Sequence, residues 1–208
     1  MKETEVERLK KLKEYEEELH DKGLNYICGI DEAGRGPLAG PVVVASCIMP
    51  RESFLEGVND SKKVSQKKRE KLYEEITNTA ISWSVGIIDQ KEIDEINILN
   101  ATKKGLTESV RGLETKPKII LVDALKDIDT LNIPFESIIK GDAKCYCIAC
   151  ASIIAKVTRD RIMEEWDKVY PVYEFSKHKG YGTANHIAAI KQNGICSLHR
   201  KSFVRNFI

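Results

Sequence analysis

Residues 26–41, Tyr-Ile-Cys-Gly-Ile-Asp-Glu-Ala-Gly-Arg-Gly-Pro-Leu-Ala-Gly-Pro, constrain this chain more than any other stretch. Residues 26–30 form a short apolar run that reads as a buried strand. Two adjacent carboxylates, Asp31 and Glu32, close it. Glycines at 34, 36 and 40 and prolines at 37 and 41 make the next segment turn-rich. A second apolar run over residues 42–49 reads as the following strand. Acids at the end of a core strand are costly to bury unless paired or bound to a cation. A glycine-rich turn beside them lets backbone amides approach a ligand closely. The stretch fits a metal-dependent site that handles something phosphorylated, and it fits an acidic hairpin turn exposed to water equally well.

The remaining chain reads as one α/β domain with an element in front of it. Val6, Leu9, Leu12 and Leu19 recur near one face of a helix over residues 3–20, which Gly23 ends. This divides the chain into an amphipathic helix at 1–22, packed on the domain surface, and a main domain at 23–208. After a loop over 50–64, Ser65 can cap a helix over 66–78. Ile81, Trp83, Val85 and Ile87 alternate with small or polar residues, the pattern of a half-buried strand. Asp89 with Glu92 marks a helix start, and helical pattern runs to about residue 113 with a break near Asn97. Residues 119–122 are a continuous apolar run ending on Asp123. A loop at 126–134 precedes a short strand at 136–139, with Gly141 and Asp142 at its end. Residues 145–169 form the longest helix, apolar nearly all round at its start and so buried there. A loop at 170–182, a helix at 184–193 and a short basic tail complete the chain. Early strands followed by alternating helices and strands predict a mixed sheet with helices packed on it.

Composition excludes some classes of protein. No run approaches 18 apolar residues, so no membrane span is expected. The charged N-terminus lacks a signal-peptide core, and the cytoplasm is the expected compartment. The six cysteines, mostly in apolar runs, read as buried thiols in a reducing compartment. A net charge of +1 neither advertises nor excludes nucleic acid. The basic segments, Lys62-Lys63 through Lys71 and Arg200-Lys201 with Arg205, read as a solvated helix face and an ordinary tail.

Three apolar strands end on acids: Asp31-Glu32, Asp123 and Asp142. In α/β sheets, ligand sites gather at strand ends. Two like charges 4 Å apart repel by about 4 kcal/mol at an effective dielectric near 20. Four carboxylates sharing a pocket therefore hold protons or bind cations, and hard oxygen ligands favour Mg²⁺ or Mn²⁺. Two such ions activate a water and stabilise a leaving oxygen in phosphodiester hydrolysis. Neighbours on a strand point to opposite faces, so Asp31 and Glu32 share a site only if the strand breaks there. Rival chemistries have less support. The chain has no P-loop run and no third glycine at dinucleotide-fold spacing. Cys145, Cys147 and Cys150 have a zinc-like look but lie in an apolar helix. His178, His186 and His199 are candidate general bases without an accompanying nucleophile motif.

Residues 29–41 resemble the signature of the bacterial ribonuclease HII family. So do Asp60-Ser-Lys-Lys63, Asn97-Ile-Leu-Asn-Ala-Thr102, Val122-Asp123, Lys140-Gly-Asp142, residues 151–160, and Lys179-Gly-Tyr-Gly-Thr183 with His186. The similarity spans roughly residues 26–203. It implies a ribonuclease-H-like fold, a mixed five-stranded sheet flanked by helices with a helical C-terminal part. It implies hydrolysis of RNA in RNA–DNA hybrids and cleavage 5′ of single ribonucleotides in duplex DNA, leaving 3′-hydroxyl and 5′-phosphate ends. The implied cofactors are two divalent cations, Mn²⁺ or Mg²⁺, on Asp31, Glu32, Asp123 and Asp142. The resemblance places a 2′-hydroxyl-reading turn on Gly34, Arg35 and Gly36 and a junction-sensing tyrosine on Tyr181. Lys62, Lys63 and Lys156 are candidate phosphate contacts, and a monomer is expected. The chain departs from the family at Ala124, where glycine is usual, and at Cys145, Cys147 and Cys150, where serine or alanine is common. Another nuclease or nucleotidyl transferase of the same fold, or a catalytically silent hybrid-binding module, would share most of these features.

Overall fold

The structure, a computed structural model, describes residues 4–61 and 64–207; Lys62 and Lys63 lie outside them. Strands β1 (Ile27–Ala33), β2 (Val42–Ile48), β3 (Ser82–Ile88), β4 (Ile119–Asp123) and β5 (Phe135–Ile138) form one sheet in the order β3-β2-β1-β4-β5. β2 runs antiparallel to both β1 and β3, and β4 and β5 pair in parallel beside β1. The helices are α1 (Glu5–Asp21), α2 (Gln66–Thr79), α3 (Gln90–Arg111), α4 (Tyr146–Val169), α5 (Phe175–His178), α6 (Ala184–Asn193) and α7 (Lys201–Val204).

Every residue of β2 is buried, because helices cover both faces of the sheet. On one face Cys28, Ile30, Val44, Ile48, Ile120 and Val122 pack against Leu106 and Val110 of α3. On the other, Ala45 and Cys47 meet the apolar first half of α4. Close contact between α4 and β1 depends on Gly29. A Cβ there would stand 2.1 Å from the Cys147 carbonyl carbon, so any side chain would push the helix off the sheet. The predicted break in α3 is present at Asn97, whose φ of 67° and ψ of 164° are not helical. Its side chain accepts from Asn100 N at 3.1 Å and restarts the helix.

Three expectations need correction. In β3 the buried members are Ser82, Gly86 and Ile88, whereas Ile81, Trp83 and Ile87 are 41, 36 and 45% exposed. The apolar alternation marks the more open face, because α3 approaches so closely that its side of the strand admits mainly small residues. A Cβ on Gly86 would lie 2.0 Å from the Gly105 carbonyl oxygen. The loop at 170–182 contains α5, and the C-terminal tail folds as α7. The third correction concerns α1, which is built into the domain instead of resting on it. Leu9 and Leu12 belong to the same cluster as Tyr146 and Ile153 of α4. Lys13 donates to the Arg51 carbonyl and, at 2.9 Å, to that of Ser53. Glu16 is buried and accepts from Cys147 N at 2.8 Å, capping α4, whose own N-cap residue Cys145 makes no side-chain cap. Burial pushes the Glu16 carboxyl up to about 7. Burying a leucine contributes about 1.5–3 kcal/mol, and three of α1's leucines are buried. Deleting residues 1–22 should therefore destabilise the domain by roughly 5–9 kcal/mol. Chemical denaturation of the truncated chain measures this, and an unchanged midpoint would return α1 to the role of accessory.

Candidate active site

The acids are placed by strand parity. Ile27, Gly29 and Asp31 alternate with Cys28 and Ile30 along β1, and Ile119, Leu121 and Asp123 do the same along β4. The parallel ladder pairs Ile30 with Val122, so Asp31 and Asp123 follow side by side on the face that α4 covers. Asp31 is buried. Its carboxyl is pushed well above the usual range, first by burial and then by the charge of Glu32, with Asp123 adding to it. A hydrogen bond from the Ser152 hydroxyl and one from Glu32 N at 2.8 Å act the other way. Ser152, on α4, is itself 2.9 Å from the Ser61 hydroxyl.

Glu32 does not require the break in β1 that the sequence suggested. The strand stays paired with β2 through Ala33. Its ladder with β4, however, ends at Ile30, which leaves that edge open at the acids. Asp31 and Glu32 both line a cavity of about 190 Å³, with Gly34, Arg35, Gly36, Ser61, Ser152, Lys156 and Tyr181. Arg35 reaches the Glu32 carboxylate at 3.4 Å. Lys156 is paired with Asp160 at 2.7 Å, and burial lowers its pKa. Asp142 lies in a 3-10 turn at Gly141–Ala143, just past β5. Gly141 N donates to the Asp123 carboxylate at 2.8 Å and ties that turn to β4. Asp123 and Asp142 line a second cavity, of about 460 Å³, together with Asp60. Asp60 appeared in the sequence only as part of a motif. Among the described residues, no group of three or more His, Cys, Asp or Glu side chains is drawn tightly enough to hold a metal ion. The donor set is nonetheless the hard-oxygen set that Mg²⁺ and Mn²⁺ prefer, and a cation beside Asp31 would offset the repulsion that raises its pKa. Ala124 next to Asp123 has a φ of 47°, which explains why glycine is usual there: alanine holds a left-handed conformation against its own Cβ.

The glycine turn is held from behind by two residues that sequence reasoning missed. Arg159 of α4 donates to Pro41 O (2.9 Å), Ala39 O (3.1 Å) and Lys179 O (2.9 Å). Arg200 donates to Gly34 O (2.6 Å), Arg35 O (2.9 Å), Gly40 O (2.9 Å) and Pro41 O (3.2 Å). Both guanidiniums are fully buried, and among the described residues neither is paired with a carboxylate. Burial lowers Arg159 to about 10, and burial with the Arg159 charge lowers Arg200 to about 9; both stay protonated at neutral pH. The expectation that Arg200 belongs to a solvated tail is therefore wrong. In sequence it is indistinguishable from a surface cation, because its partners are main-chain carbonyls. In a trans peptide the C=O and the following N–H point opposite ways. With the Gly34 and Arg35 carbonyls turned to Arg200, the amides of Arg35 and Gly36 point away from it. Gly34 itself has a φ of 100°, and a Cβ there would lie 2.0 Å from Arg159 Nε. Tyr181 is 44% exposed, and its Cε1 is 3.9 Å from where a Cβ of Gly36 would stand.

Comparison with known proteins gives a consistent result. A family described as Ribonuclease HII matches residues 28–206. The ribonuclease HII of Acetivibrio thermocellus is 56% identical over 206 residues, covering 99% of this chain and 80% of the relative. The ribonuclease H2 of Pyrococcus horikoshii superposes with a TM-score of 0.71 at 27% identity, over 87% of this chain and 96% of that one. The structure of the PCNA:RNase HII complex from Archaeoglobus fulgidus matches with a TM-score of 0.71 at 30% identity, over 84% of this chain and 93% of that one.

Proposed function

The chain belongs to the ribonuclease HII family, and on that premise we propose that it is a metal-dependent endonuclease, acting as a monomer, on RNA–DNA hybrids and on DNA duplexes that contain ribonucleotides. It hydrolyses the RNA strand of the hybrid and cuts 5′ of a single embedded ribonucleotide, leaving 3′-hydroxyl and 5′-phosphate ends. The observation that carries this reading is one cavity in which Asp31 and Glu32 adjoin both the Gly34–Gly36 turn and Tyr181. A ribose recognised at the turn thereby lies beside the carboxylates.

Each part of the chain has a task in this reading. Asp31, Glu32, Asp123 and Asp142 would hold two divalent cations. Such a pair, when bound, supplies an activated water and stabilises the leaving 3′-oxygen. The amides of Arg35 and Gly36 are offered to the 2′-hydroxyl, the group that distinguishes RNA from DNA at a given position. Arg35 and Lys156 bind phosphate, and Lys62 and Lys63 extend that contact. The Tyr181 ring rests on the next sugar, where a deoxyribose has no 2′-hydroxyl to clash. Ser152 holds Asp31 in its rotamer.

The test is a duplex bearing one ribonucleotide, incubated with Mg²⁺ or Mn²⁺ and, in parallel, with a chelator. Expected is cutting 5′ of the ribonucleotide only where cation is present. Binding of the duplex with no cut under either condition would identify a silent hybrid-binding module instead. A cut at another position would point to a different nuclease on the same fold.

A further inference from the structure

Behind Tyr181 lies a group of buried histidines that the proposed chemistry does not use. His186 and His199 are buried, and their Nε2 atoms are 3.1 Å apart. The other nitrogen of each ring faces the main chain: His186 Nδ1 is 2.9 Å from Tyr181 O, and Cys196 N donates to His199 Nδ1 at 3.0 Å. A carbonyl only accepts and an amide only donates, so the two ends fix the protons between them. His186 must carry its proton on Nδ1 to reach Tyr181 O. Its Nε2 then accepts, so His199 must carry its proton on Nε2. His199 Nδ1 is left bare to accept from Cys196 N, with the Cys196 sulfur at 3.2 Å. Only this assignment of neutral tautomers satisfies every group, and a second proton on either ring would set two N–H groups against each other.

His178 repeats the device one residue earlier. Its ring stacks on His186 at 4.4 Å. Nε2 meets Tyr173 O at 2.7 Å, and Nδ1 accepts from Gly180 N at 3.2 Å. Gly180 and Tyr181 are thus each gripped through the backbone by one imidazole. Phe175 packs edge-on against His186, and Tyr173 against His199, so the relay is walled by aromatic rings. In such surroundings a fully satisfied polar network is rigid. Burial holds both His186 and His199 down at about 4, so both are neutral at pH 7. The groups facing them are His178, Tyr173, Phe175, Cys196 and the Tyr181 turn, on which Arg159 is bonded to Lys179 O and the Lys179 ammonium is paired with Glu164 at 2.6 Å.

We infer that His186 and His199 are positioning residues for Tyr181: a one-directional chain of hydrogen bonds from Cys196 N to Tyr181 O sets where the tyrosine ring meets the Gly36 turn. The inference rests on the reading of Tyr181 as the residue that meets the sugar beyond the ribonucleotide. A displacement of about 1 Å from a productive geometry costs up to roughly a hundredfold in rate. His186→Ala is therefore expected to lower kcat on the single-ribonucleotide duplex by roughly ten- to a hundredfold, relative to its effect on a continuous hybrid. His186→Asn, whose amide can still donate to Tyr181 O, is expected to recover most of that ratio. In a Tyr181→Ala background, His186→Ala should shift the ratio no further.

Two outcomes separate the failure modes. If Tyr181→Ala leaves the ratio unchanged, the reading of Tyr181 fails. If Tyr181→Ala shifts the ratio and a folded His186→Ala does not, the relay fails. Long-range ¹H–¹⁵N correlation spectra of the unsubstituted full chain at pH 7 provide a readout independent of folding in the variants. They should show Nδ1–H on His186 and Nε2–H on His199. The opposite tautomer on either ring, or a charged ring, overturns the inference.

Discussion

Asp123→Asn is expected to abolish cleavage and to leave the fold standing. The substitution keeps the size and the oxygen that accepts from Gly141 N at 2.8 Å, so the turn carrying Asp142 stays tied to β4. It removes a charge that sits beside Asp31 and contributes to raising its pKa. Folding loses nothing by that removal, because like charges at one strand end oppose each other. On the proposed reading, cation binding would lose a hard anionic ligand. Metal-assisted stabilisation is worth several kcal/mol at the transition state, and each 1.36 kcal/mol is tenfold in rate. A drop of about 10³-fold or more in hybrid cleavage is expected, with thermal unfolding within a few degrees of the parent. Activity above a tenth of the parent would remove Asp123 from the cation site. Because the pair at Asp31 and Asp123 is relieved, the Asp31 carboxyl in this variant should also titrate lower, which carbon-detected NMR can follow.

Among single substitutions, Arg200→Met has the largest expected effect on stability. The side chain is buried and gives four hydrogen bonds to the carbonyls of Gly34, Arg35, Gly40 and Pro41. Methionine fills similar space but donates nothing. A hydrogen bond to a charged group contributes about 1.5–3 kcal/mol, and an orphaned buried acceptor costs about 1–3 kcal/mol. Several of these carbonyls keep no other good donor nearby once Arg200 is gone, although Arg159 still reaches Pro41 O. The expected loss is about 3–5 kcal/mol, read as a shift in the urea midpoint with an unchanged slope. Arg200→Lys recovers only part of it, since an ammonium lacks the planar fork that spans both ends of the turn. A loss below about 1 kcal/mol for Arg200→Met would mean that the turn is self-supporting.

Sequence pattern located the elements well wherever local physics decides them. The N-cap at Asp89, the break at Asn97 and the helix at Ala184–Asn193 are local events, and each lies where the pattern places it. The acids at strand ends were legible for the same reason, because a carboxylate ending an apolar run is conspicuous. What failed was anything set by a partner far along the chain. The open face of β3 depends on how near α3 comes, and the role of α1 depends on a cap that it lends to α4. Arg159, Arg200 and the histidine chain act on main-chain atoms, which every residue possesses. No spacing or residue type announces such a partner. Of the proposed site, the side chains that face substrate were readable, and those that hold them in place were not.

The capping bond between Glu16 and Cys147 N joins residues 131 positions apart. During synthesis, α1 leaves the ribosome well before its partner helix. At about 5–20 residues per second the interval is on the order of 10 s. An isolated helix of this length is marginal in water, so α1 passes that time frayed, with Leu9, Leu12 and Leu19 uncovered. The domain cannot close until α4 has emerged. A segment made early is therefore among the last to be fixed, and the nascent chain depends on whatever shields those three leucines while it waits.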